Sequence, residues 1–493
     1  LAPELSPQLR GKLADAYANA GRGREAADVY LALARESKIA ADALELEQKA
    51  AHQLLRGGHI DDGMVVLERL LASVDIALPK TPRRALASLL WRRGRVLVRG
   101  TEFKPRDPSQ VTREELARID IVWSAACGLS MTDWIRGASF QALNLLLSLH
   151  AGETFRARRA LLLEACHVAA SGAPSERAER LVEAATAGGV LEDPYLRGWV
   201  LMARAYIAYF RGSWRKAFEG AEQADALFSV NCANVVWERD TAHALSHWAQ
   251  VYLGSLRTLG QMLPARLHAA QQQGNLYAVW ALPATISVIH WIARDDVAGG
   301  RAAVERISER WSLRGYQIQH WNEMHSNALL DIYAGNVRGA RRRLEEGWVP
   351  MSRSLLTKIQ VIRFEVNELQ ARTALAAARV SSGSEREQLL QIAEHHTDKL
   401  GREGLAWTNA IATLRRAGIR SVRGEVEGTV RELRAAVTAC DAAELGMHAA
   451  SARVRLGTLL GGDEGEELRD AGHAALRAED VKNPDAFVAL YAP

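Results

Sequence analysis

The sequence predicts an all-α protein built as an array of stacked helical hairpins. Apolar residues recur at helical spacing along the chain, and one glycine-containing turn returns several times. Paired β-branched runs joined by Asn-Gly or Asp-Gly turns are absent from the sequence. An array of hairpins grows along one axis, so a chain of 493 residues needs no single large core.

The first hairpin is predicted in residues 9–34. Leu9, Leu13 and Tyr17 are spaced four residues apart, which places them on one face of a helix. Gly21 ends this helix, because glycine takes the left-handed backbone conformation at little cost. A second apolar helix follows directly. The stretch is therefore interpreted as two helices joined by a short turn.

The spacing in this hairpin resembles the tetratricopeptide pattern, in which small and aromatic residues recur at fixed offsets around a turn. The matching residues are Ala14, Tyr17, Gly21, Ala26 and Tyr30. Ala14 and Ala26 are the small residues that would let the two helix axes approach closely. The resemblance implies a right-handed α/α superhelix, a tetratricopeptide-like solenoid of stacked helical hairpins.

A turn made of glycine, four further residues and then a small residue recurs along the chain. It is found at Gly58 to Gly63, Gly212 to Ala217, Gly335 to Ala340 and Gly424 to Thr429. An apolar helix follows each of these turns. A single hairpin cannot bury both of its faces, so the units are expected to stack on one another.

Changes in this pattern divide the chain into three regions. They are residues 1–110, with tetratricopeptide-like repeats that end in a loop, residues 111–380, with divergent tryptophan-rich repeats, and residues 381–493, with further repeats and a capping helix. The loop is expected at 100–110, and a flexible linker is expected at 379–388. Asn483 and Pro484 are expected to start the final capping helix.

Charge and hydropathy exclude two classes of partner. The net charge of +4 is the small difference between 62 basic and 58 acidic residues. The arginine-rich runs at 91–100 and 338–348 are short and are interpreted as solvated helix faces, so no nucleic-acid partner is expected. No apolar run is long enough to cross a bilayer, so no membrane span is expected either.

The cysteines favour a cytoplasmic location. Cys127, Cys166, Cys232 and Cys440 lie far apart, and no C-x-x-C pair occurs. This pattern is typical of reduced thiols buried as small apolar side chains, and it does not suggest disulfides or a zinc site.

No known catalytic motif is present in the sequence. It contains no glycine-rich phosphate loop, no H-E-x-x-H zinc motif, no G-x-S-x-G and no kinase H-R-D or D-F-G motif. The chain is therefore expected to be non-catalytic. No cofactor, metal ligand or catalytic residue is assigned.

Aromatic and ionisable residues concentrate in the central region. Its candidate partner-binding residues are Trp237, Asp240, His243, His247, Trp248, Trp280, Trp291, His320 and Trp321. His243 and His247 lie one helical turn apart near Asp240, a spacing that could hold zinc. The alternative interpretations are that the polar groups bond between helices and that the tryptophans fill the interior.

Several long segments resemble one known group of proteins. They are PRRALASLLWRRGRVLVRGTEFKPRD, IDIVWSAACGLSMTDWIRGASFQALNLLLSLHAGE, VVWERDTAHALSHWAQVYLG, GYQIQHWNEMHSNALLDIYAG and the ending VKNPDAFVALYAP. These segments resemble the C-terminal helical-repeat region of large bacterial serine/threonine protein kinases. Such kinases carry, in order, a kinase domain, a signal-transduction ATPase domain and a long tetratricopeptide-like array.

The resemblance implies a sensor or docking arm that regulates attached kinase and ATPase modules in signal transduction. Its expected partner is a protein or peptide, including the kinase and ATPase domains of its own polypeptide, or a small-molecule effector. Two alternatives stay open at this point. One is a freestanding scaffold or the arm of a transcription activator, and the other is a metal-dependent hydrolase in the central groove.

Overall fold

The computed structural model describes residues 5–130, 133–188, 191–282, 288–308 and 316–493. All regular secondary structure within these ranges is helical, and they contain no β-strand. This confirms the predicted all-α class. The described helices also include none that is both long enough and apolar enough to span a bilayer.

In the first region and the start of the second, the described residues form nine helices. They are α1 (Pro7–Asn19), α2 (Gly23–Glu36), α3 (Ala40–Arg56), α4 (Ile60–Ser73), α5 (Pro82–Arg99), α6 (Arg113–Ser130), α7 (Trp134–Ala151), α8 (Thr154–Ala170) and α9 (Ser175–Thr186). A short 3₁₀ turn at Pro108–Gln110 precedes α6.

The described part of the central region continues with nine more helices. They are α10 (Pro194–Arg211), α11 (Trp214–Asn231), α12 (Val236–Leu253), α13 (Leu256–Gln273), α14 (Leu276–Ala281), α15 (Val288–Ala293), α16 (Val297–Ser308), α17 (Ile318–Tyr333) and α18 (Val337–Ser354).

The remaining seven helices run to the end of the chain. They are α19 (Gln360–Val380), α20 (Gly383–Gly401), α21 (Ala406–Arg423), α22 (Val426–Ala442), α23 (Gly446–Leu460), α24 (Gly462–Ala478) and α25 (Pro484–Tyr491). A second 3₁₀ turn, Leu356–Lys358, joins α18 to α19.

Most helices pack against their neighbours in the chain as adjacent pairs. Examples are α1 with α2, α10 with α11, α19 with α20, and α23 with α24. The helix α5 departs from this order, because it packs chiefly against α7.

The recurring turns behave as the sequence predicts. Gly58, Gly212, Gly335 and Gly424 each separate two helices and have left-handed φ angles between 76 and 82°. The small residue after each turn is buried at the helix contact, and these residues are Gly63, Ala217, Ala340 and Thr429. A left-handed residue lets the chain reverse while the small residue lets the two helices approach.

The first hairpin confirms one expectation and corrects another. Ala14 and Ala26 have no exposed area, as close-approach positions require. Leu9 is 50% exposed, so the expected face of α1 is wrong at this residue. The buried residues of α1 are Ala14 and Ala18, because the helix contacts α2 through its small side chains. The longer side chains lie beside that contact.

The two expected loops have different outcomes. Residues 100–107 contain no helix, in agreement with the sequence, and Arg106 forms an isolated bridge with Glu153. The expected flexible linker at 379–388 is wrong, because α19 reaches Val380 and α20 begins at Gly383. Only two residues separate these packed helices, so the serines and glycine there form a tight connection.

The final helix, α25, begins at the residue that the sequence predicts. The side chain of Asn483 accepts a hydrogen bond from the Ala486 amide at 3.2 Å, so α25 starts where the sequence predicts.

Two contacts join helices that are far apart in the chain. The amide of Tyr277 donates to the Gly57 carbonyl at 3.3 Å, which joins α14 to the α3–α4 turn. The helices α12 and α23 are also in contact. Hairpins distant in the chain therefore touch.

Candidate functional site

A cavity of about 150 Å³ lies among α6, α7, α8, α10, α12, α14, α17 and α19. Its walls are largely aromatic and aliphatic. Its described walls include five tryptophans, namely Trp134, Trp199, Trp237, Trp248 and Trp280, together with Tyr206, Tyr209 and Phe210. Concave, mostly apolar cavities with a few polar groups are typical ligand sites, so this cavity is the candidate functional site.

Aromatic contacts hold the walls of the cavity in place. The ring of Trp199 lies 6.2 Å from Trp237 and packs edge-on against Trp123 at 5.8 Å. The ring of Tyr209 lies 6.0 Å from that of Trp248. Tilted and edge-to-face pairs at these distances are favourable. The cavity is thus bordered by side chains that support one another from α6, α10 and α12.

A small polar cluster lies at one side of the cavity. His167 on α8 is buried, and its Nε2 lies 3.1 Å from the Ser130 hydroxyl oxygen. Burial, reinforced by the positive charge of Arg93, lowers the pKa of His167 to about 3. The imidazole is therefore neutral at physiological pH and can exchange hydrogen bonds without adding charge to the cavity.

Glu365 on α19 is the one carboxylate among the residues that line the described cavity. It accepts a hydrogen bond from the indole Nε1 of Trp321 at 3.0 Å. Burial raises the pKa of Glu365 to about 7, and the negative charge of Glu368 adds to this effect, while the Trp321 bond opposes it. Near neutral pH the carboxyl is thus partly protonated, so it can either donate or accept a hydrogen bond.

A charged cluster lies on the far side of Glu365. A smaller cavity of about 50 Å³ is lined by Glu365, Glu368 and Arg372, among others. Glu368 accepts hydrogen bonds from Arg415 at 2.7 Å and pairs with Arg372 at 2.8 Å. Burial opposes ionisation of Glu368, but the two arginines lower its pKa to about 2. The negative charge of Glu368 is therefore compensated within the protein by two arginines.

A wider groove of about 800 Å³ lies next to the aromatic cavity. Trp134 lines both spaces, so its indole forms part of the wall between them. The groove is more polar than the cavity and includes Lys80, Asp133, Arg136 and Arg353. The aromatic cavity thus borders a larger and more polar groove.

The structure brings three of the nine predicted residues to the cavity wall, namely Trp237, Trp248 and Trp280. Trp321 does not line the cavity, but its indole donates a hydrogen bond to the lining residue Glu365.

Two other predicted residues, Trp291 and His320, are not among the lining residues. Trp291 packs beside His290, and the His320 ring stacks on Tyr316 at 5.4 Å.

The polar residues of α12 bond to neighbouring helices. Nε2 of His243 lies 3.0 Å from a carboxylate oxygen of Asp225 on α11. Asp240 accepts a hydrogen bond from Asn275 at 2.5 Å, and burial raises its pKa to about 7. These bonds agree with the alternative that such side chains join helices.

The two histidines of α12 have different hydrogen-bond partners. Nε2 of His247 accepts a hydrogen bond from Arg266 on α13 at 3.0 Å, whereas His243 turns to Asp225. Burial lowers the pKa of His247 to about 3, and the nearby Arg266 has the same effect. Within the described ranges no three His, Cys, Asp or Glu side chains are grouped to hold a metal ion.

Several lining residues are not among the nine predicted binding residues. They are Trp134, Trp199, Glu365 and His167, which come from four different helices. The excess of tryptophan, 13 against eight phenylalanines, was the one signal that pointed toward such a site. No local pattern marks Glu365, since its role depends on helices far away in the chain.

No protein-family model matches this chain, and no curated protein matches its sequence. In the described ranges, the fold is all-helical and encloses an aromatic-lined cavity between its helices.

Proposed function

We propose that this chain is a non-catalytic sensor arm in which an uncharged, largely apolar small molecule binds in the aromatic cavity. The observation that carries this proposal is the cavity itself, with five tryptophans and few polar groups in its walls. Aromatic side chains offer large contact areas, and a few polar groups give orientation.

The lining residues favour an uncharged ligand. Among the residues that the structure describes, they include no lysine or arginine, and the buried His167 is neutral at physiological pH. An anionic ligand would lose its hydration without gaining a cationic partner, which is costly in an apolar site. The partly protonated Glu365 suits a hydroxyl or carbonyl group. A volume of about 150 Å³ matches that of an engineered apolar cavity that holds one aromatic ring.

The position of the cavity suits regulation. Its walls come from helices between α6 and α19, so one bound ligand contacts elements from most of the central region. A ligand that binds one arrangement of these helices more tightly shifts the population toward it. By the family resemblance, such a shift would regulate attached serine/threonine kinase and ATPase modules, directly or through a docked protein partner.

We also infer that the hairpins follow a right-handed α/α superhelix of the tetratricopeptide type. The contacts between α14 and the α3–α4 turn, and between α12 and α23, support this inference. They are expected where successive turns of a coil meet. The cavity would then lie on the inner side of that coil, where the inner helices converge.

Calorimetric titration with two matched probes tests the ligand site. Phenol is neutral and carries a hydroxyl, whereas benzoate has a similar ring and a negative charge. We expect phenol to bind and benzoate to bind at least about tenfold more weakly, because no lysine or arginine lines the cavity within the described part of the chain. Equal binding of the two probes would contradict the proposed site.

A pair of tryptophan variants locates the binding. Trp248→Ala removes part of the cavity wall, whereas Trp348→Ala alters an indole that is 40% exposed and lies outside the cavity. We expect the first variant to weaken phenol binding about tenfold and the second to leave it unchanged. Equal effects of the two substitutions would show that phenol binds elsewhere.

A further inference from the structure

The helix α5 is apolar on two opposite sides. One side is buried against α7 and includes Ala85, Leu89 and Val96. The other side carries Leu90, Trp91, Leu97 and Val98, which are 63, 61, 64 and 91% exposed. Large apolar side chains grouped on one exposed face mark an interaction site more often than single exposed ones do.

The exposed residues follow the spacing of a helix-packing seam. Ala87, Leu90, Gly94 and Leu97 alternate at intervals of three and four, the a and d pattern of a coiled coil. Trp91 and Val98 lie seven residues apart along one edge of this stripe. We call the six residues the α5 seam.

The centre of the α5 seam is open. A Cβ atom placed on Gly94 would meet no other atom within 4 Å, and Ala87 is exposed. The small residues at 87 and 94 thus leave a shallow depression between the larger side chains of Leu90, Leu97 and Trp91. A depression of this shape accepts the ridge of another helix.

The charged side chains of α5 itself have one sign. The helix contains no aspartate or glutamate. Arg83, Arg84 and Arg95 are exposed, and none of the three has an ion-pair partner in the described part of the chain. The guanidinium of Arg95 lies 4.9 Å from the centre of the Trp91 ring, at the edge of the seam.

The other arginines of α5 serve the fold. Arg92 donates to the carbonyl and hydroxyl of Ser139 on α7, both at 3.0 Å. Arg93 lies 3.6 Å from Glu164 on α8. The basic run at 91–100, expected to be a solvated face, is thus divided between inward bonds and an outward surface that combines apolar and cationic groups.

We propose that the α5 seam docks an amphipathic helix of a partner protein whose apolar stripe is flanked by aspartate or glutamate. The heptad spacing and the central depression fit a helix. Arg83, Arg84 and Arg95, which have no ion-pair partner in the described part of the chain, would attract acidic residues on both sides of its apolar stripe. A second copy of this chain would bring like charges together, which disfavours self-association. No residue of α5 lines the aromatic cavity, so this surface is independent of the proposed ligand site.

Fluorescence anisotropy with two designed peptides tests the proposal. Both are helical and about three heptads long with leucine at a and d, and they differ in carrying glutamate or lysine at e and g. With the full chain at physiological salt, we expect the glutamate peptide to bind at least about tenfold more tightly than the lysine peptide. Equal affinities, or no binding of the glutamate peptide, would overturn the proposal.

Matched variants connect the binding to α5. The double variant Leu90→Glu/Leu97→Glu changes only exposed side chains, and Val230→Glu alters a valine that is 81% exposed on α11. We expect about a tenfold loss of peptide affinity in the double variant, none in the control, and unchanged melting in both. Unchanged peptide affinity in the double variant would refute docking at this surface.

Two further measurements test whether a second copy of this chain or a membrane binds the α5 seam instead. Sedimentation velocity of the parent and the double variant detects self-association, and flotation with phosphatidylcholine–phosphatidylserine vesicles detects membrane binding. We expect a monomer in both cases and no flotation. Dimerisation or vesicle binding that the double variant abolishes would overturn the proposal in favour of a second copy or an anionic membrane.

Discussion

Arg56 on α3 and Glu238 on α12 form an ion pair inside the protein, with Nη1 of Arg56 2.9 Å from Oε1 of Glu238. Tyr195 donates its hydroxyl to the same carboxylate oxygen at 2.8 Å. The guanidinium of Arg56 also lies 4.6 Å from the centre of the Trp237 ring. Since Trp237 lines the aromatic cavity, this pair connects an early hairpin to the wall of the candidate site.

Removing one partner of this pair is expected to destabilise the fold strongly. Glu238→Gln leaves the Arg56 charge buried without its counter-ion, which costs about 3–5 kcal/mol. The double variant Arg56→Met/Glu238→Gln removes both charges, so it should lose less than Glu238→Gln alone. Urea denaturation measures both losses. A double variant less stable than Glu238→Gln would show that the charge itself is not the cause.

The close approach of the first two helices can be tested by overpacking. Ala26→Leu adds volume at a position with no exposed area, and it should cost about 1–3 kcal/mol of unfolding free energy. Ala16→Leu is the control, because Ala16 is exposed on α1. Thermal unfolding and hydrogen exchange of residues 9–34 report the effect. Equal stability of the two variants would contradict the placement of the helix contact.

The raised pKa of Glu365 predicts a pH dependence of stability. Its pKa is about 7 in the folded protein, against about 4.3 for an unperturbed glutamate. Between these values the folded state keeps a proton that the unfolded state releases, so the free energy of unfolding falls as pH rises and then levels off above about 7.

The variant Glu365→Gln removes this titration and keeps an oxygen for the Trp321 bond. We expect it to be more stable than the parent by about 2–4 kcal/mol near pH 8 and by much less near pH 5. Urea denaturation at the two pH values measures the difference. If the difference in unfolding free energy between Glu365→Gln and the parent does not grow with pH, the raised pKa of Glu365 is contradicted.

A tryptophan outside the cavity should matter for stability alone. Trp214 has no exposed area, and its ring stacks on Tyr252 at 4.0 Å. Trp214→Ala should therefore cost about 3–5 kcal/mol of folding free energy. Under conditions where the variant stays folded, its affinity for phenol should equal that of the parent. Loss of phenol binding without loss of stability would place Trp214 in the ligand site.

The absence of phosphate-binding motifs predicts that the purified chain neither binds ATP nor transfers phosphate. Equilibrium dialysis with ATP and a phosphate-release assay test this expectation. Hydrolysis above the buffer level that a point substitution in this chain abolishes would contradict the proposed non-catalytic role.

Local features were predictable from the sequence, and long-range ones were not. The left-handed turn at Gly212 and the buried Ala217 follow from steric rules that act within a few residues. Glu365 and Trp134 meet at one cavity only because helices distant in the chain pack together. The arginine run of α5 was visible, but which of its arginines face inward depends on where α7 and α8 lie.

The hydrogen bond from Tyr277 to Gly57 also bears on how the chain matures during translation. A Cβ atom at Gly58 would lie 2.6 Å from the Tyr277 nitrogen, so a side chain at this position would block the contact between the α3–α4 turn and α14. The helix α14 is synthesised much later than α3 and α4. The early hairpins leave the ribosome before α14 exists, and their final arrangement must wait for it. The turn between α3 and α4 therefore reaches its native contacts only after α14 has been synthesised.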